Sequence, residues 1–198
     1  MGVIMKKFKL LVQDKGLIRI LVLTLGLLLI PLIAMQVSDS SEVNWSLFDF
    51  IFMFVLLFFT QLAFLLISRR VNNLAYKAAV GIALLLAFLL VWINGAVGII
   101  GNEGNPANLM YFAVILVGVI GAILSRLQAP GMAITLCAAA CAQILVALLA
   151  WMGDGFGAQS PDWFRDVLGV SCFFALLMLL SAYLFLVAAR RQAQATST

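Results

Sequence analysis

WINGAVGIIGNEGNPANLMY, residues 92–111, is the stretch on which the organisation of the chain turns. Polar residues and glycines crowd together here between two long apolar runs: Asn94, Asn102, Glu103, Asn105 and Asn108, with Gly95, Gly98, Gly101 and Gly104. Asn105-Pro106 is a helix-start signal, because Asn is a favoured N-cap and Pro at the first helical position gives up an N–H that would lack a partner anyway. The stretch therefore reads as a polar turn joining two apolar helices.

The runs on either side are long enough to cross a bilayer, whose hydrocarbon core is about 30 Å thick and takes roughly 20 residues of helix. The whole chain fits that pattern. It has 198 residues, 65% of them hydrophobic and 10% charged, with a mean hydropathy of +1.17. A soluble domain is nearer half apolar and about a quarter charged. Six such helices with short links use up the chain and leave no segment for a soluble domain. The expected fold is an all-α integral membrane protein with six transmembrane helices in three hairpins. The helices are expected over residues 20–34, 46–68, 78–100, 105–125, 132–152 and 167–189.

The ends are read separately. Lys6, Lys7, Lys9, Lys15 and Arg19 alternate with Ile4, Phe8, Leu10 and Leu11, so residues 1–19 suit a basic amphipathic segment on the anionic cytoplasmic face. No A-x-A cleavage site follows the first apolar run, which favours an uncleaved helix over a signal peptide. Pro31 is expected to kink that helix. Ser46 and Asp49 have capping-box spacing at the start of the second helix, beside Trp45 at the membrane boundary. Residues 20–189 form the membrane domain and 190–198 a small polar tail.

Charge gives the threading. With both termini inside, only Arg165 of the 12 Lys and Arg residues falls on the outer side, and only Asp14 of the 8 acids falls on the inner side. Bias in Lys and Arg is what orients a multi-pass chain. The expectation is N-in and C-in, with a solvated acidic outer face.

The same inventory narrows the chemistry. There are no histidines, so the usual general base, haem ligand and zinc ligand are missing from the chain. Cys137, Cys141 and Cys172 lie in apolar runs and suggest small apolar packing rather than a metal site or a disulfide framework. No phosphate loop, HExxH or nucleophile–base pair is present. No catalytic residue, metal or cofactor is therefore expected, and nothing points to nucleic acid. Asn105-Pro106-Ala107 matches the aquaporin triplet, but it occurs once and opens a full-length helix, whereas those channels use two half-helices.

What remains as a candidate ligand site is the outer turn. Asn94, Glu103, Asn105 and Asn108 could line an outward-facing polar pocket for a cation or a small polar or quinone-like ligand. Gly95, Gly98 and Gly101 recur every third residue and would share one side of a helix; Gly118 and Gly121 suggest a second close approach. Gln61 and Gln143 are the deepest polar side chains and are each expected to hydrogen-bond across a helix interface. The competing reading is a capped turn with glycines used for packing. On that reading the chain is an interaction or accessory protein whose partners are the bilayer and another membrane protein or a second copy.

Trp45, Asp49 and Phe50, then Ala96-Val97-Gly98-Ile99-Ile100-Gly101, Glu103, Asn105, Ala107, Asn108 and Tyr111, with residues 118–121 and Pro130-Gly131-Met132-Ala133, carry a likeness. On these residues, roughly 45–150, the chain resembles an uncharacterised family of small bacterial multi-pass inner-membrane proteins. The resemblance implies a bacterial inner membrane and adds no substrate.

Overall fold

A computed structural model describes residues 14–37, 44–152 and 164–196. Most of the basic N-terminal segment (1–13), residues 38–43 with Asp39 and Glu42, and residues 153–163 with Ser160-Pro161 lie outside the described residues. Among the described residues six helices are long and apolar enough to cross a membrane. The chain is an all-α, multi-pass membrane protein. It divides into two compact units, residues 1–69 and 70–198.

The first unit pairs α1 (Lys15–Val37) with α2 (Leu47–Ser68). α1 begins before the apolar run does, so Lys15 and Arg19 lie in its first turns, and it continues through Pro31. α2 opens with the capping box its sequence announces: Ser46 N–H donates to Asp49 Oδ2 at 2.7 Å, and Asp49 N–H donates to Ser46 Oγ at 3.3 Å. Burial is sparse. Ile20 and Thr24 are buried on α1 and only Met53 on α2. The pair is joined by polar contacts instead. Gln61 Nε2 donates to Thr24 Oγ1 at 2.9 Å inside the apolar interface. At one end Arg69 grips Asp14 with both terminal nitrogens, each at 2.6 Å, and Gly16 N–H donates to the same carboxylate at 2.8 Å.

The second unit contains α3 (Leu74–Ala96), a 3₁₀ turn (Pro106–Leu109) leading into α4 (Met110–Leu124), α5 (Ala129–Met152), a π turn (Phe164–Gly169) and α6 (Val170–Thr196). α6 packs on both α5 and α3, and α5 also packs on α4. α3 and α4 are consecutive in sequence, yet each touches its other neighbour far more than it touches the other. α5 begins at Ala129, earlier than expected, because Pro130 and Gly131 fall in its first turn, where a missing N–H is harmless. The α4–α5 turn is made by two non-glycine residues in the left-handed region, Arg126 (φ 50) and Leu127 (φ 59).

Packing follows helical periodicity. α5 buries Met132, Ala133, Leu136, Ala139, Ala140, Gln143, Val146, Ala147 and Ala150, one face at spacings of three and four. Cys137 and Cys141 fall on the opposite face and are exposed, as is Cys172 on α6. The small apolar packing expected of the cysteines is therefore not made inside this bundle, where Ala139 and Ala140 between them supply the close face. The two α4 glycines also differ. A Cβ at Gly121 would overlap the Thr135 side chain of α5, whereas one at Gly118 would meet nothing within 4 Å. Gly121 is thus the α4–α5 contact point, and the expected role for Gly118 does not hold.

Polar ties cross between helices where apolar packing alone would leave the register loose. Ser181 Oγ donates to Ala79 O at 2.8 Å, joining α6 to α3. Tyr111 Oη and Ser171 Oγ are 3.0 Å apart and both fully buried, joining α4 to α6. Tyr76 Oη donates to Leu127 O at 2.5 Å, and Asn73 Nδ2 to Ala188 O at 3.2 Å, so the start of α3, the α4–α5 turn and the end of α6 meet at one end.

Gly121→Ala should lower thermal stability in detergent by about 1–3 kcal/mol through overpacking. Gly118→Ala should be neutral or stabilising by about 0.5–1 kcal/mol, since it only raises helix propensity. Equal melting temperatures for the two variants would contradict the packing assignment.

Asp14 gives a pH prediction. The Arg69 hydrogen bonds, then the Gly16 amide, hold its carboxyl at about 2 against an ordinary 3.8. A depressed folded pKa contributes stability above the ordinary value and loses it as pH falls through the folded one. Asp14→Asn should therefore melt earlier than the parent chain at neutral pH. The two melting curves should converge as pH drops from about 4 through 2.

Candidate functional site

The α3–α4 turn is built on the carboxamide of Asn108. α3 ends where Gly98 takes a φ of +71, and its amide bonds back to Ile93 O at 2.9 Å. The next two amides have no helical acceptor. Asn108 Oδ1 accepts both, from Ile99 at 3.0 Å and Ile100 at 2.8 Å. Its Nδ2 donates to Ile100 O at 3.2 Å and to Asn102 O at 2.7 Å. One buried side chain thus satisfies four backbone groups of the turn, and its own hydrogen-bonding capacity is fully used.

This corrects two expectations. α3 stops at Ala96, not at residue 100, so Gly98 and Gly101 do not share a helix side with Gly95. They serve the turn, each with φ near +70, at 71 and 72. A Cβ at Gly98 would overlap both the Asn102 carbonyl and the Asn108 amide. A glycine every third residue is therefore a turn signal here, and the stop is set by the left-handed residue that only glycine adopts readily.

Asn105 is the N-cap of the 3₁₀ turn. Its side chain accepts from Ala107 N–H at 2.9 Å, with Pro106 next in the chain. Asn102 Oδ1 accepts from Gly104 N–H at 3.0 Å. Glu103 is exposed at the tip of the turn. Asn94 is buried near the end of α3; its Nδ2 donates to Leu90 O at 2.7 Å, and its Oδ1 has no partner. Of the four candidate residues, Asn105 and Asn108 are thus engaged in folding the turn. The acceptors left over are the Glu103 carboxylate and Asn94 Oδ1.

The deeper glutamines part company. Gln61 bridges to Thr24 as expected. Gln143 does not bridge: its side chain is 0% exposed, and neither Nε2 nor Oε1 has a partner. Both glutamines stand alone in apolar runs, so the sequence offers no way to tell which has a hydroxyl opposite. Ser171 and Ser181 each reach across to another helix. Thr60 and Thr135 do bond back, to Leu56 O and Gly131 O.

Among the described residues, no group of three or more His, Cys, Asp or Glu side chains could hold a metal ion. No family model, curated protein or solved structure matches the chain. Sequence and fold together give a multi-pass helical membrane protein.

Asn108→Ala should strip acceptors from two buried amides and cost roughly 1–3 kcal/mol per orphaned group. Asn108→Asp should fare no better, because one carboxylate oxygen would replace the donor that faces the Ile100 and Asn102 carbonyls. Detergent melting curves test this directly; an unchanged Asn108→Ala melting temperature would show that the turn does not depend on that side chain.

Proposed function

We propose that this chain is a bacterial inner-membrane protein, threaded as three hairpins with both termini in the cytoplasm, that works as an interaction or accessory subunit. The observation that carries this reading is the sparse burial on α1 and α2. Ile20, Thr24 and Met53 are their only buried residues. Large side chains such as Phe48, Ile51 and Phe59 on α2 stand exposed, with Phe48 stacked on Phe52 at 6.4 Å. Two helices with so little of their surface used within their own unit have it available for lipid, another membrane protein or a second copy. The threading rests on the Lys and Arg bias. Affinity purification in mild detergent, with mass spectrometry of what is retained, tests the reading; a clean monomer under conditions that keep lipid bound counts against it.

A second reading is favoured by a specific observation. Asn94 Oδ1 and both carboxamide atoms of Gln143 are buried without partners, and a small carrier or channel needs unspent polar atoms inside its bundle. On this reading the unspent acceptors of Asn94 and Glu103 form the outward entrance for a cation or a small polar or quinone-like ligand, in the turn that Asn105 and Asn108 fold.

Gln143→Leu separates the two. Replacing a buried polar side chain that has no partner by an apolar one is neutral or stabilising, so the variant should fold with an equal or higher melting temperature. If solute flux into proteoliposomes is detectable and is lost in Gln143→Leu and in Glu103→Ala, the carrier reading stands. If neither substitution changes flux or folding, the accessory reading is favoured.

A further inference from the structure

One end of the second unit is strongly basic. Arg70, Lys77, Arg126, Arg190 and Arg191 lie at the start of α3, in the α4–α5 turn and at the end of α6, which the Tyr76 and Asn73 hydrogen bonds bring together. The unit's described acids, Glu103 and Asp166, belong to the opposite end, at the α3–α4 turn and the start of α6. Within the basic end is a groove of about 440 Å³ lined by Val71, Asn72, Leu74, Arg191, Gln192 and Ala195. Its walls are of two kinds. Arg191 and Asn72 carry donors, while Val71, Leu74 and Ala195 are apolar. Leu74 is 78% exposed although it is a large hydrophobic side chain among charged neighbours.

Depth selects the occupant. α6 has 27 residues, about 40 Å of helix, against a hydrocarbon thickness of about 30 Å. Its apolar part ends before Arg190, so the last two turns project into the headgroup layer. Asn73, bonded to Ala188 O, holds the start of α3 at the same level. The groove therefore opens where phospholipid headgroups sit, with a guanidinium suited to a phosphate and a leucine suited to the acyl–glycerol region.

We propose that this groove binds the phosphate of an anionic phospholipid, with Arg191 and Asn72 on the phosphate oxygens and Leu74 against the chain of the same molecule. The proposal does not depend on the accessory reading or on the carrier reading.

The test is native mass spectrometry of the full chain in detergent, titrated separately with phosphatidylglycerol, phosphatidylcholine and inorganic phosphate. A single retained phosphatidylglycerol adduct is expected, with weaker phosphatidylcholine binding. Arg191→Gln should weaken phosphatidylglycerol binding about 5- to 10-fold. Arg190→Gln removes the same charge one residue away, outside the groove lining, and should weaken it less. Melting temperatures of both variants should match the parent, since the substituted positions are exposed. Equal losses from the two arginine variants would overturn the proposal in favour of diffuse surface attraction. Equal binding of both lipids, or inorganic phosphate displacing phosphatidylglycerol at equal concentration, would overturn the lipid assignment.

Discussion

Where α3 stops, two successive backbone amides lose their helical acceptors in a place where the apolar bundle leaves no water to replace them. An unsatisfied amide in such surroundings costs about 1–3 kcal/mol. Asn108 resolves this from the far side of the turn by accepting from both amides and donating to two carbonyls. The left-handed residues at Gly98 and Gly101 shape the backbone to reach it. The path from α3 to α4 therefore depends on one carboxamide, and through it so does the placement of Tyr111, which meets Ser171 of α6.

The same constraint explains how the rest of the second unit is fixed. Between lipid-facing helices there is little hydrophobic driving force, so close approach and internal hydrogen bonds set the register. α6 collects most of these ties, from Ala79 through Ser181, from Tyr111 through Ser171 and from Asn73 through Ala188. α5 contributes the small-residue face, and Gly121 lets α4 lie directly against Thr135. The first unit depends on fewer contacts: the Thr24–Gln61 bridge within the apolar interface and the Asp14–Arg69 pair at its end.

Local signals in the sequence translated well into structure. Apolar runs of membrane length became the six helices, Ser46 with Asp49 became a capping box, and Asn105-Pro106 became a capped helix start, with a 3₁₀ first turn. What could not be read was pairing in three dimensions. Glycines at a spacing of three fit a helix stripe as well as a left-handed turn, and only the position of the helix end decides between them. Gly118 and Gly121 look alike until Thr135 is placed. Gln61 and Gln143 look alike until one has a threonine opposite and the other has nothing. At the candidate site, residue types were legible but their tasks were not, because folding the turn and holding a ligand call for the same carboxamides.

The α4–α5 turn carries a further consequence. Arg126 and Leu127 both sit in the left-handed region, where an L side chain costs about 1–2 kcal/mol and glycine would sit more easily. Leu127 is held there by the Tyr76 hydroxyl on its carbonyl. Arg126 is the sole Lys or Arg between α4 and α5, and Lys and Arg in short links are what orients a multi-pass chain in general. Glycine would relax the finished fold and remove the only positive marker of that link. Strain at this turn is thus the cost of keeping a charged side chain at position 126, and the Tyr76 bond to the next residue's carbonyl helps the bundle hold it.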